Sequence, residues 1–189
     1  MNHLQADAIA LSLLGHDVAL VADDAMSNPT PCDGWTVADL VRHMNEQHEE
    51  IISTVLEPFD SGDDDPRSDF SLIGARWIAA VQRAGDEIEV PKAGGFVRTS
   101  RVIDIHFVDM LVHRWDLAKA LQLDCHVPAL LTDLALPIGR SITGPGTALN
   151  GPGGVYNPPH LEDDTLAPID NLAALLGRDP RRAPKDWSR

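Results

Sequence analysis

The chain has 189 residues, of which 15 are Lys or Arg and 29 are Asp or Glu, so its formal net charge is −14 with neutral histidines. A protein with this excess of acid repels both a nucleic-acid backbone and an anionic membrane surface, so we expect neither as a partner. The apolar fraction of 43% is enough to build a globular core.

Cysteine usage and the first residues indicate the compartment. Cys32 and Cys125 lie far apart and form no CxxC pair, so the sequence predicts neither a disulfide framework nor a four-cysteine zinc site. The first 20 residues lack the basic region of a signal peptide, and no apolar run is long enough to span a bilayer. We therefore expect a cytoplasmic protein. With few cysteines and 8 histidines, a metal site of histidine and carboxylate ligands is worth testing.

The first part of the chain predicts two long amphipathic helices. Apolar residues at steps of three and four predict a helix over residues 4–25, and the turn-rich segment 27–36 follows it. Thr36 is typical of an N-cap, with Asp39 three residues later as an imperfect capping box. The apolar stripe that follows predicts a second helix over 37–56.

The rest of the chain predicts four more helices, at 71–84, 99–121, 129–142 and 165–176. An acidic loop at 60–69 and a strand-like or irregular link at 88–100 separate the earlier helices, and Pro137 is expected to kink the fifth. The long helices predict an all-α fold, a four-helix bundle over 1–142 with a C-terminal extension over 143–189 that holds irregular structure and one helix.

The fourth predicted helix holds a candidate metal-binding pair. Asp109 and His113 are four residues apart, which places them on neighbouring turns of one side. Bundles build metal sites from facing helices, and His43 on the second helix is the natural third donor. His106 lies in line with His113 and could replace Asp109, or serve as a pocket wall or core residue. Two imidazoles and one carboxylate would leave a divalent ion with an open position, as in catalytic zinc sites.

The same residues also fit simpler structural roles. An Asp and a His at helical spacing occur often by chance, and an interior His is usually only hydrogen-bonded. We expect Asp116 to support His113 through a hydrogen bond rather than to form a surface pair with Arg114 or Lys119, and His48 to face solvent. Cys32 precedes the second helix, whose dipole could lower the pKa of its thiol, although a small buried residue is the favoured reading.

Three segments resemble one known family. TPCDGWTVADLVRH at 30–43, DMLVHRWDLAKAL at 109–121 and LAALLGRDP at 172–180 are similar to the actinobacterial metal-binding family related to mycothiol-dependent maleylpyruvate isomerase, within the DinB/YfiT-like superfamily of four-helix bundles. The resemblance covers nearly the whole chain. It implies that His43, Asp109 and His113 are metal ligands, with Asp109 standing where the isomerase has Glu. The shorter carboxylate keeps His106 open as the third ligand.

The resemblance also implies a chemistry. A divalent metal, zinc first and nickel second, would activate the thiol of mycothiol toward a small electrophile, in an isomerase or thiol S-transferase reaction. Maleylpyruvate is not carried over as the substrate, because the segment after Ile142 differs from the isomerase's larger C-terminal domain. The alternative is a non-catalytic metal-binding or small-molecule-binding DinB-like protein. A homodimer is a reasonable expectation for a bundle.

Overall fold

The chain folds into α-helices with one small β-hairpin. The computed structural model describes residues 1–59, 62–147, 149 and 154–182, and within them it has six α-helices and two strands. These elements are α1 His3–Ala19, α2 Val37–Ile52, α3 Pro66–Arg83, β1 Glu87–Val90, β2 Gly95–Arg98, α4 Thr99–Ala120, α5 Ala129–Ile142 and α6 Pro168–Leu175. Short 3-10 turns occupy Asp23–Ser27 and Pro91–Ala93.

The first four helices form the bundle that the sequence predicts. α1 packs on α3 and α4, and α2 packs on the same two helices, so their apolar faces share one core. The largest fully buried side chains in it include Trp77, Phe70, Phe107 and Leu14. α5 and α6 pack on each other and on α4. The all-α bundle with a C-terminal extension is thus confirmed, while the division between 142 and 143 stays a prediction.

Helix α2 begins where its cap predicts. The Thr36 hydroxyl accepts from the Asp39 backbone N–H at 3.2 Å, and the Asp39 carboxylate accepts from the Thr36 backbone N–H at 3.0 Å. Both halves of a capping box are therefore present. The helix ends at Ile52 and not at Leu56, because residues 53–56 form turns.

Helix α3 corrects the predicted acidic loop. It begins at Pro66 and not at residue 71, with Asp65 as N-cap, so the end of the stretch 60–69 is helical. Arg67 explains the early start, because its guanidinium donates to the Val21 carbonyl at 2.6 Å and pairs with Asp23. This long-range contact links the first turn of α3 to the segment that follows α1. α1 itself ends at Ala19 and not at residue 25.

The predicted link before α4 is a hairpin. β1 and β2 pair antiparallel, with Ile88 opposite Val97, and Gly94 turns the chain with a φ of 71°. The Thr99 backbone N–H donates to the Asp86 carbonyl at 2.9 Å, and α4 begins at Thr99, directly after the hairpin ends.

The C-terminal extension has fewer helical residues than predicted. α5 has the predicted bounds and contains Pro137, whereas α6 covers only Pro168–Leu175. The segment 183–189, part of the predicted extension, lies outside the described residues. None of the helices in the described part of the chain combines the length and apolar character that crossing a bilayer requires.

Gly177 follows α6 at a position that only glycine fits. Its φ is +80°, and a Cβ here would lie 2.6 Å from the carbonyl oxygen of Asn157. We expect Gly177→Ala to lower the free energy of unfolding by more than the roughly 1–2 kcal/mol of a left-handed residue alone. Gly34→Ala is the matched control, because Gly34 has a φ of +77° and open space around it. Guanidinium denaturation of both variants checks this, and equal losses would contradict the close contact.

Candidate metal and thiol site

The candidate site lies between α2 and α4, which run antiparallel. His43 on α2 faces His113 on α4, with ring centroids 5.8 Å apart, and His48 faces His106 with centroids 4.8 Å apart. Four histidines therefore form two layers between the two helices. The two histidines of α2 differ in burial, since His43 is half-buried whereas His48 is only 2% exposed, and both histidines of α4 are buried.

The outer layer brings together two of the predicted ligands. The rings of His43 and His113 meet nearly at right angles, at 79°. Trp35, held in the loop before α2, covers His43 with a centroid distance of 4.6 Å. Burial, followed by the nearby His113, lowers the pKa of His43 to about 4. His43 is therefore a neutral imidazole at neutral pH, which is the form that binds metals.

Asp116 supports His113, as predicted. The Nδ1–H of His113 donates to Asp116 Oδ2 at 3.3 Å. Arg178, from the segment after α6, binds the same carboxylate with Nη2 at 2.9 Å from Oδ2. Burial alone would raise the pKa of Asp116, but Arg178 and His113 outweigh it and hold the pKa below its ordinary value. The alternative prediction, a surface pair of Asp116 with Arg114 or Lys119, is not seen among the described contacts. Arg114 pairs with Asp17 and Lys119 with Asp170.

Cys32 touches the same carboxylate. Its Sγ lies 3.7 Å from Asp116 Oδ2. Burial, followed by the nearby Asp116, raises the pKa of the Cys32 thiol to about 12. The dipole of α2 therefore does not produce a thiolate here, and Cys32 is a protonated thiol at neutral pH.

Asp109, the third predicted ligand, is bound by a tyrosine. The Tyr156 hydroxyl donates to Asp109 Oδ1 at 2.7 Å. Burial raises the pKa of Asp109, against the opposing effect of His113, and burial together with Asp109 raises the pKa of Tyr156 well above its ordinary value. Tyr156 thus remains a hydrogen-bond donor and fixes one oxygen of the Asp109 carboxylate.

The inner layer is a buried polar chain to which all four bundle helices contribute. His106 Nδ1 lies 2.5 Å from Asp7 Oδ1, and His106 Nε2 lies 2.6 Å from His48 Nε2. Trp77 donates from Nε1 to Asp7 Oδ2 at 2.9 Å and stacks on His106 at a centroid distance of 4.0 Å. The expectation that His48 faces solvent is wrong, because its ring belongs to this buried series of hydrogen-bonded side chains and is 2% exposed.

Of the roles predicted for His106, the structure shows that of a core residue. Both of its ring nitrogens are hydrogen-bonded, to Asp7 and to His48, so it is a core residue of the inner layer. Within the described residues, no group of three or more His, Cys, Asp or Glu side chains is arranged to hold a metal ion. The outer layer offers the donor chemistry for a metal in two imidazoles, His43 and His113. Asp109, the predicted third donor, is hydrogen-bonded to Tyr156.

Several residues of the two layers were missed from the sequence. The burial of Asp7 and His48 could be predicted, because each lies on the apolar stripe of its helix. Asp7 shares its stripe with Leu4, Leu11 and Leu14, and His48 shares its stripe with Val41, Met44 and Ile52. A polar residue on such a stripe is buried, and a buried polar group needs a partner. Tyr156 and Arg178 come from irregular segments, whose contacts follow no periodic pattern.

Comparison with known proteins identifies the family of the chain. Residues 10–69 match the family model of the mycothiol maleylpyruvate isomerase N-terminal domain. Two Mycobacterium tuberculosis proteins, uncharacterized protein Rv0738 and uncharacterized protein MT0763, are each 30% identical to this chain over 193 residues, covering 96% of this chain and 100% of each relative. No solved structure matches the chain. Together, the family model and the full-length relatives show that the chain belongs to the DinB-like family related to mycothiol maleylpyruvate isomerase.

Proposed function

We propose that this chain is a divalent-metal-binding, mycothiol-dependent enzyme, an isomerase or a thiol S-transferase that acts on a small electrophile. His43, Asp109 and His113 are the proposed ligands, and zinc is the proposed metal. The observation that carries the proposal is the pair of imidazoles facing each other across α2 and α4, 5.8 Å between centroids. Membership of a family whose model is named for mycothiol chemistry supports the thiol.

The protonation states of the outer layer suit metal binding. His43 is neutral, since the pKa of its ring is about 4, and the hydrogen bond to Asp116 leaves His113 Nε2 as its ligand nitrogen. One oxygen of Asp109 is held by Tyr156, so the second oxygen is the proposed donor. A bound divalent cation would lower the pKa of a coordinated thiol and so supply a thiolate at neutral pH.

The chain's own thiols support an external sulfur. Burial raises the pKa of Cys32 to about 12 and that of Cys125 to about 11. Neither is a thiolate nucleophile at neutral pH, although Cys32 lies beside His113 through their shared partner Asp116. The reactive sulfur is therefore assigned to the cosubstrate, and the protein binds it, orients it and limits its contact with water.

A second function, metal or small-molecule binding without turnover, has an observation in its favour. The Tyr156 hydroxyl occupies one oxygen of Asp109, and the described residues contain no complete three-ligand group. A site that must break or share this hydrogen bond to gain a third ligand would bind metal more weakly than a preformed one.

Metal titration tests the site. We expect metal-free protein to bind about one Zn²⁺ per chain in isothermal titration calorimetry, and His113→Ala to weaken this by more than about 100-fold, because a lost ligand exceeds the effect of a lost supporting residue. His16→Ala is the matched control, since His16 is exposed on α1 and far along the chain from the pair. Wild-type protein that binds neither zinc nor nickel would overturn the metal site.

Turnover separates the two functions. Zinc-loaded wild-type protein is incubated with mycothiol and a chromogenic aryl chloride, in which the thiolate sulfur displaces chloride, and in parallel with a cis-alkene diacid whose isomerisation is followed by proton NMR. The proposed enzyme accelerates one of these reactions and loses the acceleration in His43→Ala. Metal binding with no thiol-dependent acceleration of any electrophile would favour the non-catalytic function.

A further inference from the structure

The C-terminal segment reaches the centre of the candidate site through one arginine. Arg178 binds Asp116 with two nitrogens, Nη2 at 2.9 Å from Oδ2 and Nε at 3.4 Å from Oδ1. Its Nη1 donates to the Leu176 carbonyl at 2.9 Å, which anchors the guanidinium to its own segment. Gly177 makes the tight turn that this anchoring needs, with its φ of +80°. The guanidinium of Arg178 is therefore held both by Asp116 and by the backbone of its own segment.

Asp116 transmits this orientation to His113. Its side chain is fully buried, at 0% exposure, and both of its oxygens accept hydrogen bonds. Oδ2 is shared by Arg178 and by the Nδ1–H of His113. A buried carboxylate needs partners that compensate its lost hydration, and Arg178 donates two of the hydrogen bonds that hold Asp116 in place. Without Arg178, the carboxylate would be left with His113 and the weak thiol donor of Cys32.

We infer that Arg178 and Asp116 are positioning residues that hold His113 in its Nδ1–H tautomer and leave Nε2 free as the ligand nitrogen. In water, the opposite Nε2–H tautomer of a neutral imidazole predominates, so the bond to Asp116 reverses the intrinsic preference. A carboxylate behind a ligand histidine also raises its basicity toward a metal. The inference rests on the proposed function, and it assigns the C-terminal segment, outside the matched residues 10–69, a direct part in the site.

The chain contains a closely matched control for Arg178. Arg76 on α3 binds Glu49 with Nη2 at 2.8 Å from Oε1 and Nε at 3.4 Å from Oε2, and donates to the Glu57 carbonyl at 2.6 Å. Its side chain is 20% exposed, against 14% for Arg178. Arg76→Gln therefore removes a forked arginine pair of the same form without touching His113.

Nitrogen NMR of metal-free protein tests the tautomer directly. His113 is assigned in a long-range proton–nitrogen spectrum by the signal that disappears in His113→Gln. We expect wild-type His113 and the Arg76→Gln control to show the Nδ1–H tautomer, and Arg178→Gln to shift His113 toward Nε2–H. Asp116→Asn is the second variant, in case Arg178→Gln does not fold. Wild-type His113 in the Nε2–H form would overturn the inference, as would an unchanged tautomer in folded Arg178→Gln.

Metal affinity then tests the consequence. We expect Arg178→Gln to weaken Zn²⁺ binding by about 10- to 100-fold, the usual effect of losing a supporting partner, and Arg76→Gln to leave it unchanged. Arg178→Lys should fall short of wild type because an ammonium does not form the fork. Zinc bound as tightly by Arg178→Gln as by wild type would refute the positioning role. Zinc bound by no variant would refute the proposed function, while the NMR result would still decide the tautomer.

Discussion

Asp7→Ala is expected to lower the free energy of unfolding by about 3–5 kcal/mol, because each of the two buried donors that lose their acceptor costs about 1–3 kcal/mol. Asp7 has no solvent exposure and accepts hydrogen bonds from His106 Nδ1 and Trp77 Nε1. Truncation leaves both donors inside the bundle without an acceptor, and it opens a cavity of carboxylate size. Because a domain is stable by only about 5–15 kcal/mol, the variant should be close to unfolding at 25 °C.

A surface pair of the same form is the control for this prediction. His3 Nδ1 lies 2.5 Å from Asp104 Oδ1, the same distance as His106 Nδ1 from Asp7 Oδ1. The side chains of His3 and Asp104 are 50% and 22% exposed, so water replaces the lost partner and Asp104→Ala should change stability by less than about 1 kcal/mol. Urea denaturation followed by circular dichroism measures both variants. Similar small losses would show that burial does not strengthen the Asp7 contacts.

The helices could be predicted from the sequence where local signals agree with the packing. α4 and α5 have the predicted positions. The buried residues of α5 recur at steps of three and four, whereas the other helices bury α4 on most of its sides. α2 begins at its predicted cap because the capping hydrogen bonds form between Thr36 and Asp39, which are three residues apart in the sequence. The start of α3 differs from the prediction because Arg67 binds the Val21 carbonyl in the segment after α1, and no local sequence pattern indicates that contact.

The candidate site was predictable to the extent that it lies on helices. His43 and His113 meet as the facing-helix argument requires, whereas the partners of Asp109 and Asp116 lie on the C-terminal segment. His48 shows a different error. Its five-residue separation from His43 predicts that it points away from the site and faces solvent. Its place on the apolar stripe of α2 indicates burial instead, and the side chain is buried. Helical phase relative to the core is the better guide, because the core decides which face is inside.

His48 also predicts how the stability of the protein depends on pH. Burial, followed by the neighbouring histidines, holds the pKa of His48 well below the ordinary 6.5, and its Nδ1 is buried without a hydrogen-bond partner among the described residues. The rings that surround it on α3 and α4 are Phe70, Trp77 and His106. The folded protein therefore keeps His48 neutral at a pH where the unfolded chain binds a proton.

The sign of the effect follows from this difference in bound protons. The contribution of His48 is complete above pH 6.5 and is lost as the pH falls toward its folded-state pKa, at up to about 1.4 kcal/mol for each pH unit. His43, with a pKa of about 4, adds to the same trend. We expect the free energy of unfolding to fall steadily below pH 6.5, and His48→Gln to make that decline shallower, because glutamine can still donate to His106 and does not titrate.

Urea denaturation at several pH values between 7.5 and 4.5 measures the two slopes. His16→Gln, on the exposed side of α1, is the matched control and should follow the wild-type curve. The wild-type and His48→Gln curves should converge as the pH falls, because only the wild-type protein loses the contribution of a neutral buried imidazole. Parallel curves would mean that His48 binds its proton equally in the folded and unfolded states, which would require water or a counter-charge to reach its Nδ1 inside the bundle.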